Sequence, residues 1–263
     1  MRKIITFLTD FGTDNGYVAQ MKAVASGITD VCFVDITHEV TAHYIREGAF
    51  LLQTVVPYFP VGTVHVAVVD PGVGTERKPL FITTRTHVLV GPDNGLLIPA
   101  ARLLGEFTVY EITNKKYVLN PLSGTFHGRD VFAPVAAHIM NGVAFDDIGQ
   151  KTNTWVDLDF GQAEITDKTA VGKVLFVDRF GNIITNIPGF KLRDMLAAGK
   201  KVMVFLGQHS LEMSFVSSYG FVGKGECLLT IGSSNYLEVG VNQGSAAQQF
   251  SVKEDDEVKV LFG

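Results

Sequence analysis

Three polar residues, Asp70, Arg77 and His127, have the types and positions that a water-activating site needs. Asp70 ends the apolar run 66–69 and is followed by Pro-Gly, which predicts a carboxylate at the end of a buried strand. Arg77 lies on the same predicted loop, and His127 precedes a predicted helix. A guanidinium favours a developing hydroxide, a carboxylate orients it or takes its proton, and an imidazole completes the relay. If the fold brings these three side chains together, they form a competent group for activating water.

The same residues also have other interpretations. An Asp-Pro-Gly sequence is typical of a turn whose Asp bonds its own backbone, and a single His is most often structural. Asp10, Asp14, Asp70 and His127 are alternatively hard ligands for a divalent metal in a phosphoesterase. The seven histidines include no H-x-H or H-x-x-x-H pair, which argues against that alternative. We therefore predict no metal site.

Glycine-punctuated turns supply candidate nucleoside-binding residues. Asp10, in the loop 9–16 after the first predicted strand, could accept two ribose hydroxyls or could cap the following helix. Phe126 and Phe180 lie in Gly-containing turns, where an aromatic side chain belongs either to the core or to a platform for a base. The chain has no G-x-G-x-x-G and no G-x-x-x-x-G-K-[ST] sequence, so neither a dinucleotide fold nor a P-loop is indicated.

The first part of the chain alternates between strand and helix patterns. Apolar runs predict strands at 4–8, 31–35 and 63–69, and helical periodicity predicts helices at 17–26 and 44–57. This order predicts right-handed crossovers and a doubly wound, mostly parallel sheet.

Further strands and one helix extend this pattern. Strands are predicted at 80–84, 87–91 and 107–112, and a helix is predicted at 131–140. Asp130 is expected to cap that helix or to lie in its first turn. These elements complete a predicted N-terminal α/β domain.

A second domain is predicted after the polar segment 141–169. Its short strands are separated by turn sequences, which is typical of a small all-β barrel. The predicted domains are 1–160, an α/β domain, and 170–263, a barrel-like all-β domain. The predicted strands are 171–177, 201–206, 211–216, 226–231, 237–241 and 257–262.

Composition excludes several classes of protein. The 263 residues are 46% apolar and 19% charged, with a formal net charge of −5, which is typical of a globular chain. Without basic runs, the chain has no electrostatic footprint for nucleic acid or an anionic membrane. Its two cysteines lie far apart, and no apolar stretch approaches the roughly 20 residues of a membrane span. The N-terminal apolar run is too short for a signal peptide, so a cytoplasmic location is expected.

Six groups of residues, in order along both predicted domains, resemble the S-adenosyl-L-methionine (SAM) hydroxide adenosyltransferases. This family is related to fluorinating and chlorinating enzymes. The resemblance runs from Ile4 to the C-terminus. The groups are Thr9–Thr13 with Val18–Lys22, Asp70–Arg77, Gly91–Leu97, Thr125–Asp130, Asp178–Asn182 and Asn242–Ala246.

The resemblance implies a fold, an assembly and a reaction. The fold would be an α/β domain followed by a β-barrel. The assembly would be a homotrimer whose active sites lie where one subunit's N-terminal domain meets its neighbour's C-terminal domain. Water would attack C5′ of the SAM ribose and release adenosine and L-methionine, without a metal or cofactor. Because Asp70, Arg77 and His127 are all present, as in the hydrolases, water is favoured over a halide as the nucleophile.

The resemblance also implies roles for individual residues. Asp10 would hold the ribose hydroxyls, Phe180 would stack near adenine, and Phe126 would also line the substrate site. Asn182 and the backbone near Gln243 would read the adenine edge. Asp178 would meet the methionine ammonium, and Ser233 would hold the methionine carboxylate. The remaining alternatives are a nucleoside- or SAM-binding protein without turnover and a metal-dependent phosphoesterase.

Overall fold

The computed structural model describes residues 3–193 and 195–262. The chain divides into two compact units, Met1–Asp159 and Phe160–Gly263.

The first unit is built on one sheet of mostly parallel strands, as predicted. In the described residues its strands are β1 (Ile4–Thr9), β2 (Cys32–Thr37), β3 (Val64–Val68), β4 (Pro79–Thr84), β5 (Val88–Pro92), β6 (Phe107–Ile112) and β7 (Gly149–Lys151). Their order across the sheet is β2-β1-β3-β5-β4-β6-β7. The first four in this order are parallel to one another, whereas β4 is antiparallel to both β5 and β6, and β7 is antiparallel to β6.

Helices cover both faces of this sheet. On one face, Phe7 of β1 belongs to a buried cluster with Met21 and Val135 from two helices. The helices of the described part of this unit are α1 (Tyr17–Ser26), α2 (Ile45–Val55), α3 (Ile98–Leu103), α4 (Ala133–Met140) and α5 (Phe145–Ile148), with 3₁₀ turns at Val56–Tyr58 and Lys115–Tyr117.

The opposite face is covered by α2. A Cβ added to Gly48 would lie 3.0 Å from side-chain atoms of Val69 and Leu96 and 3.6 Å from Leu8. Because successive side chains of a strand point to opposite faces, Leu8 and Phe7 bury opposite sides of β1. The doubly wound arrangement is thereby confirmed. No helix of the described residues combines the length and apolar character that crossing a bilayer requires.

The second unit contains a closed barrel. Its described strands are β8 (Glu164–Ile165), β9 (Thr169–Val177), β10 (Ile183–Pro188), β11 (Lys201–Leu206), β12 (His209–Phe215), β13 (Cys227–Ile231), β14 (Tyr236–Val241) and β15 (Glu257–Leu261), with one helix, α6 (Ala246–Phe250). The order is β10-β14-β13-β12-β11-β15-β9-β8, and an additional pairing of β9 with β10 closes seven of these strands into a ring. The predicted all-β barrel is therefore confirmed.

Strand β11 has the alternating pattern expected of a strand in the barrel wall. Val202, Val204 and Leu206 are buried in the barrel core, while the residues between them face outward. This period of two matches a strand with one face on the core and one face in water.

Strand β10 was not predicted, because it contains Asn186 and Pro188, two residue types that favour turns. In the fold, the Asn186 side chain donates to the Phe160 carbonyl (3.0 Å) and accepts from the Lys173 amide (2.8 Å). These tertiary hydrogen bonds satisfy a polar side chain inside the barrel and outweigh its local preference. The short helices α3 and α6 were missed as well, since six and five residues carry too little periodicity to detect.

Candidate active site

The carboxyl ends of three neighbouring parallel strands bring polar residues to one edge of the sheet. Asp10 follows β1, Asp70 lies just beyond β3, and Asn94 lies just beyond β5. Strands β1, β3 and β5 are adjacent and parallel, so these residues lie on the edge where open α/β sheets bind ligands.

Asp70 and Arg77 form a buried, bidentate ion pair. The Nε atom of Arg77 donates to both carboxylate oxygens of Asp70 at 3.0 Å, and Nη2 donates to Oδ2. The two side chains are only 4% and 9% exposed, respectively. Burial reduces solvent screening, so the guanidinium holds the carboxylate in one fixed orientation.

His127 joins this pair through Arg77. The Nη2 atom of Arg77 lies 2.9 Å from Nδ1 of His127. Since a guanidinium can only donate, Nδ1 is the acceptor, and the imidazole is neutral with its proton on Nε2. Burial, and then the neighbouring Arg77 charge, lower the pKa of His127 below its usual value, which favours the same neutral form.

Arg77 keeps unused donor capacity at this point. Its Nη1 atom is buried and has no hydrogen-bond partner among the described residues. The guanidinium carbon also lies 5.1 Å from the ring centre of Phe132, which shields the other side of the cation. A buried N–H pair without a partner is costly, so this donor is suited to a ligand oxygen.

One glycine, Gly74, allows two loops of this site to come into contact. Gly74 has a φ of +76°, and a Cβ placed there would lie 2.1 Å from the carbonyl oxygen of Gly124. Only glycine allows this backbone approach. The loop that carries Asp70 and Arg77 therefore lies directly against the loop that leads to His127.

Asp130 was predicted to cap the helix or to lie in its first turn, and the structure places it in the first turn without a capping role. It lies in a π-helical turn, Gly128–Phe132, that precedes α4, and it makes no side-chain capping bond there. Its buried carboxylate instead accepts from the Ser123 amide (2.8 Å) and from Nε of Arg129 (2.5 Å). Burial raises the pKa of this carboxyl, but the bonds from Arg129 and Ser123 outweigh burial and lower the pKa overall.

The other two predicted site residues of this unit lie in neighbouring loops. Asp10 accepts from the backbone amide of His43 at 2.8 Å through Oδ2. Phe126 is buried, and its ring centre lies 5.8 Å from that of Phe11 and 5.2 Å from that of Tyr17. Phe126 thus belongs to an aromatic cluster beside His127 rather than standing free as a platform.

In the barrel unit, Asp178 organises the turn that presents Phe180. Its Oδ1 accepts from the amides of Phe180 (2.9 Å) and Asn182 (2.8 Å), and its Oδ2 accepts from the Asn182 side chain (2.9 Å). The Phe180 side chain, at the tip of this turn, is 77% exposed. The Phe180 ring is therefore accessible on a hydrogen-bonded turn, and its role as a stacking platform stays a prediction.

The loop that carries Gln243 lies against this turn. The amide of Ala247 donates to the Gly181 carbonyl at 2.9 Å. A Cβ on Gly181, whose φ is +82°, would lie 2.0 Å from Oγ of Ser245. Gln243 is exposed and has a φ of 56°. The fold therefore brings the Asp178–Asn182 turn next to the Gln243 loop.

Ser233 is exposed in the turn between β13 and β14. A buried glutamate on β14, Glu238, reaches this turn, since a Cβ on Gly232 would lie 2.4 Å from its Oε2. The Tyr219 hydroxyl donates to Oε1 of Glu238 and lies 3.5 Å from Nδ2 of Asn182. Burial raises the pKa of Glu238, the Tyr219 bond lowers it, and the nearby Asp178 charge raises it. The pKa of Glu238 is raised overall.

Neither Glu238 nor Tyr219 was identified from the sequence. The available signal was a glutamate in the otherwise apolar strand Tyr236–Val241, because burying an unpaired charge there would destabilise the fold. These two residues connect the Ser233 turn to the Asp178–Asn182 turn.

Within residues 3–193 and 195–262, no group of three or more His, Cys, Asp or Glu side chains is arranged to hold a metal ion. Asp70, one of the candidate metal ligands, directs both carboxylate oxygens to Arg77.

A mostly parallel α/β unit followed by a seven-stranded barrel unit defines a two-domain class of protein. A model of the SAM hydroxide adenosyltransferase N-terminal domain matches residues 5–149, and a model of the C-terminal domain of the same family matches residues 172–259. The chain belongs to the SAM hydroxide adenosyltransferase family, which confirms the resemblance seen in its motifs.

Similar proteins cover nearly the whole chain. The (R)-S-adenosyl-L-methionine hydrolase of Methanocaldococcus jannaschii is 38% identical over 98% of this chain and 96% of its own length. A protein of the same name from Salinispora tropica is 36% identical over 98% of each chain, and a fluorinase from Nocardia brasiliensis is 25% identical over 100% of this chain and 98% of its own. The crystal structure of an uncharacterized conserved protein from Thermotoga maritima has a TM-score of 0.92 and 37% identity over 97% of this chain and 99% of its own.

Proposed function

We propose that this protein hydrolyses SAM to adenosine and L-methionine by attack of water on the ribose C5′. Membership of the SAM hydroxide adenosyltransferase family and the similarity to proteins named (R)-S-adenosyl-L-methionine hydrolase support this reaction. The observation that carries the proposal is the contact of one buried arginine, Arg77, with both Asp70 and His127.

The reaction needs a good nucleophile more than it needs a general acid. The C5′–O bond forms while the C5′–S bond breaks. The electron pair of the C5′–S bond leaves with sulfur, which becomes the neutral thioether of methionine. The attacking water releases one proton, and this proton carries the positive charge that the sulfonium loses. Catalysis therefore depends on orienting and deprotonating water in an enclosed site.

The three side chains have complementary roles in this mechanism. Arg77 donates from Nη1, which has no other partner among the described residues, to the attacking oxygen as it becomes negative. His127, held neutral by the Arg77 contact, offers Nε2–H as a second donor. Asp70 keeps lone pairs beyond those that Arg77 uses, and it orients the water and accepts its proton.

The remaining candidate residues bind the substrate in this proposal. Asp10 holds the ribose hydroxyls, Phe126 lines the pocket, and Phe180 stacks on adenine. Asn182 and the backbone near Gln243 read the adenine edge, while Asp178 and Ser233 hold the methionine ammonium and carboxylate.

The proposed assembly is a homotrimer, as the family resemblance implies. Light scattering on the purified protein tests this assembly. A mass three times that of one chain is expected, and the mass of a monomer or dimer would contradict it.

Incubation of EDTA-treated protein with SAM in ¹⁸O-labelled water tests the reaction. We expect methionine and adenosine carrying the label at its 5′ oxygen, because water is the nucleophile at C5′. Recovery of bound, unchanged SAM would identify a binding protein and overturn the proposal. Loss of activity that returns with a divalent cation would overturn the metal-free mechanism, and a chloride-dependent halogenated nucleoside would replace water as the nucleophile.

Phe180→Ala is expected to raise KM for SAM about tenfold, since stacking on a base is worth about 1–3 kcal/mol. Phe180 is 77% exposed, so its removal leaves the barrel core and the thermal midpoint unchanged. Phe190→Ala is the matched control, because Phe190 is also exposed, at 59%, in the same unit but on the 3₁₀ turn Gly189–Lys191. Equal KM values for the two variants in initial-rate assays would exclude Phe180 from substrate binding.

A further inference from the structure

The turn that follows β5 holds both ends of the loop that carries Asp70 and Arg77. The side-chain Nδ2 of Asn94 donates to the carbonyl of Val69 at 2.8 Å. The backbone amide of Asp93 donates to the carbonyl of Lys78 at 2.9 Å. Val69 immediately precedes Asp70, and Lys78 immediately follows Arg77. Two consecutive residues of one turn therefore bind the two residues that flank this loop.

The first of these bonds replaces a hydrogen bond that the sheet does not supply there. Val69 lies beyond the last residue of β3, Val68, and is fully buried. A buried carbonyl needs a partner, and Asn94 supplies one from a side chain. Asn94 is itself oriented by the amide of Leu96, which donates to its Oδ1 at 3.2 Å.

The turn that follows β5 is itself held in place by the neighbouring structure. A Cβ placed on Gly91 would lie 2.3 Å from the carbonyl oxygen of Ala67, so β5 approaches β3 unusually closely just before the turn. Beyond the turn, Oδ1 of Asp93 accepts from the amide of Val156 at 2.8 Å. The turn is thus anchored on both sides and can serve as a rigid support.

We propose that Asn94 is a positioning residue for catalysis, which sets the geometry of the Asp70–Arg77 pair and, through it, the contact of Arg77 with His127. The Asp70–Arg77–His127 set depends on the end of β3 being held in place, and Asn94 acts on the residue directly before Asp70. Asn94 acts through the loop rather than on the reacting atoms. The expected effect on kcat rests on the proposed hydrolysis. The expected effect on the placement of Arg77 beside His127 does not depend on that reaction.

The chain contains a close match to Asn94 that serves as a control. Nδ2 of Asn114 donates to the carbonyl of Asp147 (2.7 Å), and its Oδ1 accepts from the amide of Lys116, two residues later (3.0 Å). The hydrogen-bond pattern is the same as that of Asn94, but the carbonyl that Asn114 binds lies in α5 rather than at the end of β3. Asn94→Ala and Asn114→Ala therefore remove the same interactions at different places.

Kinetics on the full-length protein test the proposal first. Asn94→Ala is expected to lower kcat for SAM hydrolysis about 10- to 100-fold with KM within about threefold, because small misplacements of catalytic groups carry penalties of this size. Asn114→Ala is expected to keep kcat within about twofold of wild type. Equal kcat values for the two variants would overturn the proposal. If Asn94→Ala folds poorly, Asn94→Ser, which keeps a donor on a shorter side chain, is compared with Asn114→Ser.

An NMR titration of the His127 ring provides a readout that does not depend on activity. Its resonance is identified as the one lost in His127→Gln. Burial, and then the Arg77 charge, lower the pKa of His127, while Asp70 and Asp130 raise it. Loss of the contact between Arg77 and Nδ1 of His127 in Asn94→Ala is therefore expected to raise that pKa, whereas Asn114→Ala leaves it unchanged. An unchanged His127 pKa in Asn94→Ala would overturn the positioning role. If wild-type protein does not hydrolyse SAM, the proposed function fails, and the titration still decides the role of Asn94.

Discussion

Asp70→Asn is expected to lower kcat for SAM hydrolysis by about 10²–10⁴-fold, the usual contribution of a positioned acid–base group. An amide has nearly the same shape as the carboxylate, but it cannot take the proton of the attacking water. Arg77 would keep an acceptor oxygen at this position, although the buried pair would lose its charge complementarity. Rates of methionine and adenosine release, followed by chromatography, measure the effect.

Asp157→Asn is the matched control for this substitution. Asp157 also accepts from an arginine, with 2.7 Å between its Oδ2 and Nη2 of Arg102, but the two side chains are 54% and 43% exposed. Exposed pairs contribute only about 0–1 kcal/mol to stability, so this variant should retain both its fold and its kcat. If Asp70→Asn retained wild-type turnover as well, the carboxylate would have no part in activating water.

Acidification is expected to destabilise the N-terminal unit through one buried histidine, His65. Its side chain is fully buried on β3, with Nδ1 2.8 Å from the Thr6 hydroxyl and no partner for Nε2 among the described residues. Burial, and then the nearby His87, lower the pKa of His65 from 6.5 to about 3. In the unfolded chain, His65 therefore becomes protonated below about pH 6.5, whereas in the folded chain it stays neutral down to about pH 3.

The sign of this effect follows from proton uptake. Above about pH 6.5, His65 is neutral in both states and does not lower the free energy of unfolding. Below that pH, its effect lowers the free energy of unfolding by about 1.4 kcal/mol for each pH unit, or by about 2 kcal/mol at about pH 5. Urea unfolding at several pH values measures this slope. Because carboxylates also titrate on acidification, the comparison with a variant isolates the contribution of His65.

His65→Gln removes one titrating group and should make the slope between about pH 6.5 and pH 5 shallower by about 1.4 kcal/mol per pH unit, while His127 and His138, whose pKa values burial also lowers, keep their contributions. His209→Gln, at an exposed position of the barrel, should leave the slope as it is in wild type. Identical slopes for His65→Gln and wild type would show that His65 does not contribute to acid sensitivity.

Much of the fold could be predicted because local patterns specify single elements. The strand 4–8, the helix 17–26 and the strand 107–112 agree with the structure to within one residue, because their periodicity is clear. The helix predicted at 131–140 starts as a π-helical turn at Gly128, and Asp130 lies in that first turn, one of its two predicted positions, without capping the helix. Its carboxylate is bound by Ser123 and Arg129 instead, and a pattern of residue types does not show which donors will be near.

The site was partly predictable for the same reason. Residue type and position after a strand identified Asp70 and Arg77, which lie in one loop and need only a short closure to meet. Asn94 lies within the Gly91–Leu97 group of the resemblance, but its own role is not predictable from the sequence because its partner, Val69, is 25 residues away. Its role became visible only once β5 lay beside β3.

The sequence by itself determined the order of the elements, the change from α/β to all-β, and the residue types available for chemistry. These properties depend on periodicity and on turn-forming residues, which act over a few neighbours. The tertiary structure alone decided which side chains meet. Arg77 reaches His127 across 50 positions, and Gly74 allows the loop of Arg77 to lie against the loop that leads to His127. The contact of Arg77 with His127 also determines the tautomer of His127. Such contacts depend on the packing of the whole sheet, which no local pattern encodes.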